Sequence, residues 1–392
     1  MSLPAELIVA ILELAYHGDP LTLDRPAMLA CARVCRAWAF PAQALLFRDV
    51  RLPNKARLDA FLSALRPDAR GCFLARAVRS LAIEPGRGGI AFPDLVAVLQ
   101  ACPRIYELEL ALSISDPLPE SSLAAFRAAI PALRILHLNY RNMPAPVPQL
   151  LAACPAIHSL ELRGSVSIPL PDALAPSASR PAFRLRELQF RVPFFCAEDQ
   201  AACDMLSWTL AHSAGSLAIL SLLDLPSDPT LDALLAAHAP SLRSLRLGGY
   251  NPDRLSQYLS TVRACPRLEE LQLNFNPGPE LLEAIPRSLE HLSFKNDERS
   301  MFDASWTHSI AHVIDALPAF PRLRVITYVG DKRIDAPERH TLKEKCDARK
   351  VHLRCIRKPL GAFTGETETL YLPTQFPRYI PVAAAKRPGD SF

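Results

Sequence analysis

The sequence predicts an α/β protein of about ten stacked strand–helix units, with a small helical module ahead of them. Three observations lead there. Leu fills 62 of 392 positions. Pro is frequent at 37 while Gly is scarce at 14, so the chain is stopped often, but seldom by a residue that favours positive φ. One short pattern also recurs along most of the chain: an apolar residue, two variable residues, Leu, a variable residue and another apolar residue. Hydrophobic residues at 49% and charged residues at 21% fit a folded chain rather than a disordered one. With 44 basic and 40 acidic residues the net charge is +4. That is too near neutral to argue for a nucleic-acid or membrane-surface partner, and neither is expected.

The pattern begins as Val78-Arg-Ser-Leu81-Ala-Ile83, Ile105-Tyr-Glu-Leu108-Glu-Leu110 and Leu133-Arg-Ile-Leu136-His-Leu138. Further copies start at Ile157, Leu185, Leu217, Leu242, Leu268, Leu289 and Leu323. The mean spacing is about 27 residues, which is a repeat-array period. Leu-x-Leu alternation gives a short strand with one buried face. Between strands, segments such as Asp94–Ala101 and Asp253–Arg263 place apolar residues three or four apart, the stripe of an amphipathic helix. One such unit cannot bury its own apolar face, so neighbours must stack. Ala-Cys-Pro closes three of these helices, at Cys102, Cys154 and Cys265, where a small buried residue precedes a helix-stopping Pro. The array resembles divergent leucine-rich repeats, which implies a solenoid of horseshoe type over about residues 66–330. The Asn that often follows the strand in that family is mostly replaced, by Ser113, Arg141, Ser165, Pro193 and Leu225, with Asn276 a lone match.

Residues 1–50 do not carry the repeat. Pro4 suits a first helical position, and Leu7, Ile8, Ile11 and Leu12 form a helical stripe after it. Gly18-Asp19-Pro20 breaks the chain, a second helix runs from Pro26 to Arg36, and Trp38 precedes a break at Pro41. Leu45 to Leu52 reads as a strand leading into the repeats. Leu3-Pro4-x-Glu6-Leu7-Ile8-x-x-Ile11-Leu12, followed by Val34-Cys35-Arg36-x-Trp38, resembles an F-box, and Phe47 to Leu52 resembles the junction seen in fungal F-box proteins. That resemblance implies docking on a Skp-type adaptor of a cullin–RING ubiquitin ligase, with the repeats selecting a protein substrate. On it, Leu3, Pro4, Leu7, Ile8, Ile11, Leu12, Val34, Cys35 and Trp38 would meet the adaptor. The competing reading is a helical cap over the first repeat, in a scaffold outside the ubiquitin system.

Catalytic signatures are sparse. His308 and His312 lie four apart, with Asp315 nearby, but they do not form His-Glu-x-x-His, and the spacing implies no third zinc ligand. No Gly-x-x-x-x-Gly-Lys loop and no Gly-x-Ser-x-Gly elbow occurs, and Gly86-Arg-Gly-Gly89 reads as a flexible turn. No enzyme activity and no cofactor is expected. The ten Cys form no CxxC pair, and Met1 to Glu6 carries no basic n-region, so reduced thiols in the cytoplasm or nucleus are expected. The span between Asp204 and Asp224 lacks charge, but its periodicity changes at Gly215, so it reads as helix, turn and strand rather than a membrane span.

The variable strand residues should share one concave surface. Glu109, His137, Glu161, Gln189, Ser221, Arg246, Gln272 and Ser293 form one column. Glu107, Ile135, Ser159, Glu187, Ile219, Ser244, Glu270 and His291 form a second, and Asn139, Arg163, Arg191, Leu223, Asn274 and Lys295 form a third, in which Arg163, Arg191 and Lys295 are the cations. Glu109, His137, Glu161, Arg163, Arg191, Arg246 and Lys295 are the candidate substrate contacts. From Pro321 to Lys358 twelve basic residues face five acidic ones, read as a basic capping unit with a helix over Lys343–Lys350 and a last strand at Val351–Leu353. The expected organisation is an F-box at 1–50, repeats with their cap at 51–358, and an irregular Pro-rich tail at 359–392.

Overall fold

An apolar residue held in register from strand to strand organises the protein. The structure, a computed structural model, describes residues 3–19, 22–66, 68–142, 146–165, 181–191, 199–222, 229–248, 255–296, 310–330 and 336–357. The tail at 359–392 and His308 lie outside them. Two compact units are present, the first over residues 1–139 and 144–156, the second over 140–143 and 157–373.

The first unit opens with helix α1 (Ala5–Tyr16), a hairpin of β1 (His17–Asp19) and β2 (Thr22–Leu23), and helices α2 (Arg25–Cys31) and α3 (Arg36–Leu46). Repeats follow: β3 (Asp49–Leu52), α4 (Lys55–Ala64), α5 (Ala69–Ala77), β4 (Ser80–Ile83), α6 (Phe92–Ala101), β5 (Glu107–Leu112), α7 (Glu120–Ala129), β6 (Ile135–Asn142) and α8 (Pro146–Ala152). The second unit holds β7 (Ser159–Ser165), β8 (Glu187–Arg191), α9 (Asp199–Leu210), β9 (Ile219–Leu222), α10 (Pro229–His238), β10 (Ser244–Leu247) and α11 (Leu255–Arg263). It continues with β11 (Glu270–Leu273), α12 (Pro279–Ala284), β12 (His291–Asn296), α13 (Ile310–Ala316), β13 (Val325–Gly330), α14 (Ala336–Ala348) and β14 (His352–Arg357).

Within each unit the repeat strands pair in parallel and in chain order. Val50, Leu81 and Leu108 stand opposite one another in the first. Leu160, Leu188, Leu220, Leu245, Leu271, Leu292, Ile326 and Leu353 do so in the second. The central residues that the pattern identified, from Leu81 to Ile326, are fully buried. The array has more strands than the ten recurrences of the pattern. Val50 takes the Leu place in β3, and Leu353 joins from the expected last strand.

The N-terminal module departs from its sequence reading in three places. The segment around Gly18 is a short hairpin. The second helix is two: α2, capped by Asp24 Oδ1 accepting from the Ala27 amide at 3.0 Å, and α3 after a turn at 32–35. Pro41 does not end α3. Interior Pro removes a backbone hydrogen bond and costs about 3 kcal/mol. The helix continues because Ala42 and Leu45 beyond it are anchored in the module core with Ile8, Leu12 and Met28. Leu45 and Leu46 are therefore helical, and the strand begins only at Asp49.

Serine hydroxyls tie consecutive repeats together in the turns that lead into the strands. Ser216 Oγ donates to the Leu185 carbonyl at 2.8 Å, Ser241 Oγ to Leu217 at 2.8 Å, and Ser288 Oγ to Leu268 at 2.7 Å. Each lies in the turn just before a repeat, and each hydroxyl also reaches a second carbonyl, of Ser213, His238 and Pro266 respectively.

Urea unfolding should rank these contributions. Leu271→Ala empties a fully buried ladder position and should lower stability by about 2–5 kcal/mol. Ser241→Ala removes one hydroxyl and should lower it by about 1 kcal/mol. Equal costs for the two substitutions would contradict the primacy of the ladder.

Candidate functional site

Two surfaces concentrate the residues that the sequence singled out. The first is on the N-terminal module. Helix α1 is apolar nearly all round, which in a lone helix demands cover on every side. Ile8 and Leu12 turn into the core with Met28, Ala42 and Leu45, and Trp38 packs partly buried against them. Leu3, Leu7, Ile11 and Leu14, spaced four, four and three apart, are exposed, with Leu7 50% accessible. Val34 is 64% accessible in the turn before α3. Cys35 is exposed at the α3 N-cap, and Pro4 is exposed at the entrance, its carbonyl accepting from the Leu7 and Ile8 amides at 3.1 and 3.2 Å. Thus Leu3, Pro4, Leu7, Ile11, Val34 and Cys35 stand outside, while Ile8 and Leu12 are internal. Among the described residues, every large apolar side chain that is exposed lies between Leu3 and Phe40. One of them, Phe40, has its ring edge-on to Phe73 of α5 at 5.7 Å.

The second surface is the variable face of the strands. In the first unit Glu109 is exposed, and His137 Nε2 lies 3.2 Å from Glu107 Oε1. In the second unit the polar columns are tied into two clusters. Arg163 Nε donates to Glu161 Oε1 at 2.6 Å, and Arg191 Nε lies 3.1 Å from the same oxygen. Arg191 Nη2 donates to Gln189 Oε1 at 3.3 Å, Gln189 Nε2 to Glu187 Oε1 at 2.9 Å, and Ser159 Oγ to Glu187 Oε2 at 3.3 Å. In the other cluster Arg246 Nε and Ser244 Oγ donate to Glu270 Oε1 at 3.2 and 2.9 Å, with His291 Nδ1 3.7 Å from Glu270 Oε2.

These placements revise the sequence picture. Arg163 is exposed and Arg191 and Lys295 are half-buried, but Arg246 is buried against Glu270, so it is an internal residue. Burial of Glu161, Glu187 and Glu270 was not read from the sequence, although their alignment with polar neighbours follows from the repeat register.

Burial pushes the Glu270 carboxyl up, but the His291 contact, the Arg246 and His291 charges and the Ser244 hydroxyl outweigh it and hold it below the ordinary value of 4.5. Glu270, His291 and Thr327, whose Oγ1 is 2.9 Å from His291 Nε2, have the order of a nucleophile triad. With Thr327 at 0% and His291 at 1% accessibility, no substrate reaches that hydroxyl in this state, and the chain of contacts reads as a cross-strand tie. Burial raises the thiols of Cys102, Cys154 and Cys265 to about 12, which leaves them protonated and unreactive. Gly86, Gly88 and Gly89 adopt positive φ in a loop pinned by Lys55 N donating to Gly88 O at 2.9 Å, a structural turn and not a phosphate cradle. Among the described residues no group of three His, Cys, Asp or Glu is placed to hold a metal ion, and no helix is long and apolar enough to cross a membrane.

Fold and surfaces together define an α/β strand–helix repeat protein with an apolar N-terminal face and a polar strand face. No protein-family model matches the sequence, and no curated protein does. Among solved structures it is similar to the leucine-rich repeat-containing protein LegL7 from Legionella pneumophila, at 15% identity and a TM-score of 0.44, over 79% of this chain and 91% of that one.

Glu270 gives this surface a pH signature. A depressed carboxyl contributes stability that is fully present above pH 4.5 and is lost as pH falls through its folded value. Glu270→Gln should therefore lower the melting temperature at pH 7, corresponding to about 1–3 kcal/mol, and the gap should close as the pH drops towards 3. A gap constant from pH 7 to 3 would mean that Glu270 is not charged in the fold.

Proposed function

We propose that this chain is a non-catalytic substrate receptor of a cullin–RING ubiquitin ligase, acting in the cytoplasm or nucleus. The N-terminal helices dock on a Skp-type adaptor, which links the chain to the cullin scaffold, and the repeats hold a protein substrate. The observation that supports this most is the concentration of exposed apolar side chains between Leu3 and Phe40. Elsewhere among the described residues, large apolar side chains are covered at least in part. Exposed apolar side chains concentrated in one small module mark a docking surface, and helical docking depends on a few apolar anchors. The F-box-like residues divide as a docking module requires: Ile8 and Leu12 build the module, while Leu3, Leu7, Ile11 and Val34 remain available to a partner.

A second reading, a protein-interaction scaffold outside the ubiquitin system with the helices as a cap, draws support from the Phe40–Phe73 contact. A cap, however, turns its apolar residues inward and leaves a polar outer face. The outer face of α1 is apolar.

The test is co-elution of the purified chain with a purified Skp-type adaptor. Leu7→Asp combined with Ile11→Asp should weaken complex formation at least tenfold and leave the melting temperature within a few degrees, since both side chains are already exposed. Leu12→Asp should instead unfold the module. An adaptor complex unaffected by the double substitution would sink the receptor reading in favour of the scaffold.

A further inference from the structure

We infer that a groove at the turns leading into β10–β13 takes a phosphate group carried on a protein ligand, with Arg267 and Arg322 as its anchors. The inference rests on the repeats being a protein-binding surface and gives that surface a site and a ligand chemistry.

The two anchors leave turns of the same build. Cys265-Pro-Arg-Leu268 and Phe320-Pro-Arg-Leu323 each close with the Leu amide donating to the carbonyl three residues back, at 3.2 and 3.3 Å. Pro pre-sets the first inner position of such a turn, so the Arg that follows it starts from a fixed backbone. Strand β12 runs between β11 and β13, which sets Arg267 and Arg322 about 10 Å apart at their origins, two strand spacings. Both line a groove of about 420 Å³. Ser241 and Ser288 belong to its wall, and their hydroxyl ties to the preceding repeats hold that wall in place.

The charges in the groove do not cancel. Glu269 and Glu290 also line it, and each has a guanidinium of its own. Arg243 Nη2 lies 2.6 Å from Glu269 Oε1, and Arg324 Nη1 lies 3.5 Å from Glu290 Oε2. Arg267 and Arg322 are exposed and make no hydrogen bond or ion pair among the described residues. Two carboxylates are thus matched by two arginines, and two further guanidiniums are left over. A phosphorylated side chain brings about two negative charges at neutral pH and three acceptor oxygens, whereas a carboxylate brings one charge and two oxygens. The phosphate dianion therefore matches the excess, and guanidinium forks match its oxygens. Arg104 leaves the equivalent turn of the first unit, Cys102-Pro-Arg-Ile105, and is outside this groove.

The experiment uses the full chain and three fluorescein-labelled Gly-Ser peptides of equal length, with phosphoserine, aspartate or serine at the centre. Fluorescence anisotropy at low salt should show the phosphoserine peptide bound, the aspartate peptide severalfold weaker and the serine peptide unbound, with binding lost as salt rises. Arg267→Gln with Arg322→Gln should cut affinity for the phosphoserine peptide at least tenfold. Both side chains are exposed, so the melting temperature should hold. Arg104→Gln should leave affinity unchanged. Glu290→Gln should raise it severalfold, because it takes a negative charge out of the groove and releases Arg324 to the ligand. The ion pair it breaks has an exposed arginine and contributes little to the fold. Failure of the phosphoserine peptide to bind, equal binding of the aspartate peptide, or equal binding by the double variant would each overturn the site. So would a loss in Arg104→Gln as large as in the double variant, or unchanged affinity in Glu290→Gln. None of these results bears on co-elution with the adaptor, so failure of the groove and failure of the receptor reading are distinguishable.

Discussion

The in-register leucine ladder is the constraint on which the rest of the protein depends. A strand exposes alternate residues to opposite faces, so a shift of one residue would bring the variable positions inward and the leucines out. With a fully buried Leu at the centre of strand after strand, that shift is prohibitive. Everything on the other face is then fixed by arithmetic. Glu187 must stand beside Ser159, Ser244 beside Glu270, and Arg163 beside Arg191, whatever their chemistry.

The polar face bears the cost of a register imposed from behind. Charges forced into columns are either compensated by a neighbour or repelled by one, and the second unit compensates them by sharing. Glu270 takes contacts from Ser244, Arg246 and His291, and Glu161 takes two arginines. Such ties stabilise little beyond what an apolar pair would, but removing one partner leaves a buried charge, so they narrow the sequences this face tolerates. The turns answer a similar need. Carbonyls at the starts of repeats, of Leu185, Leu217 and Leu268, take hydroxyls of Ser216, Ser241 and Ser288 from the next repeat.

Much of this was legible because periodicity reports burial directly. The ladder residues, helices α6 and α11, the turn at Gly215 with φ of +77°, and the presence of α14 and the last strand were all read from spacing or from a turn residue, although α14 spans Ala336–Ala348 rather than 343–350 and the strand His352–Arg357 rather than 351–353. The buried Cys of the Ala-Cys-Pro closures followed from a helix stop. What escaped depended on tertiary support. Pro41 looks like a terminator locally, and only Ala42 and Leu45 anchored in the module core explain its place inside a helix. Arg246 looks like a surface cation until Glu270 on the next strand is placed beside it. The Ser ties did leave a trace, a Ser-Leu pair opening the repeats at Leu217, Leu242 and Leu289, which a search for Asn passes over.

Apolar residues therefore do two different jobs in this chain. In the repeats they are buried and build the ladder. In the N-terminal module one stripe of α1 builds the core while another, Leu7, Ile11 and Leu14, with Leu3 just ahead of the helix, is held out to solvent. The measurement that tests this division most directly is amide hydrogen exchange on the full chain, with and without a Skp-type adaptor. In the free chain the repeat strands should exchange slowest. On adding the adaptor, new protection should appear over residues 5–46 and leave the strands from β4 onward unchanged. New protection confined to the repeat strands, or none anywhere with adaptor in excess, would contradict it.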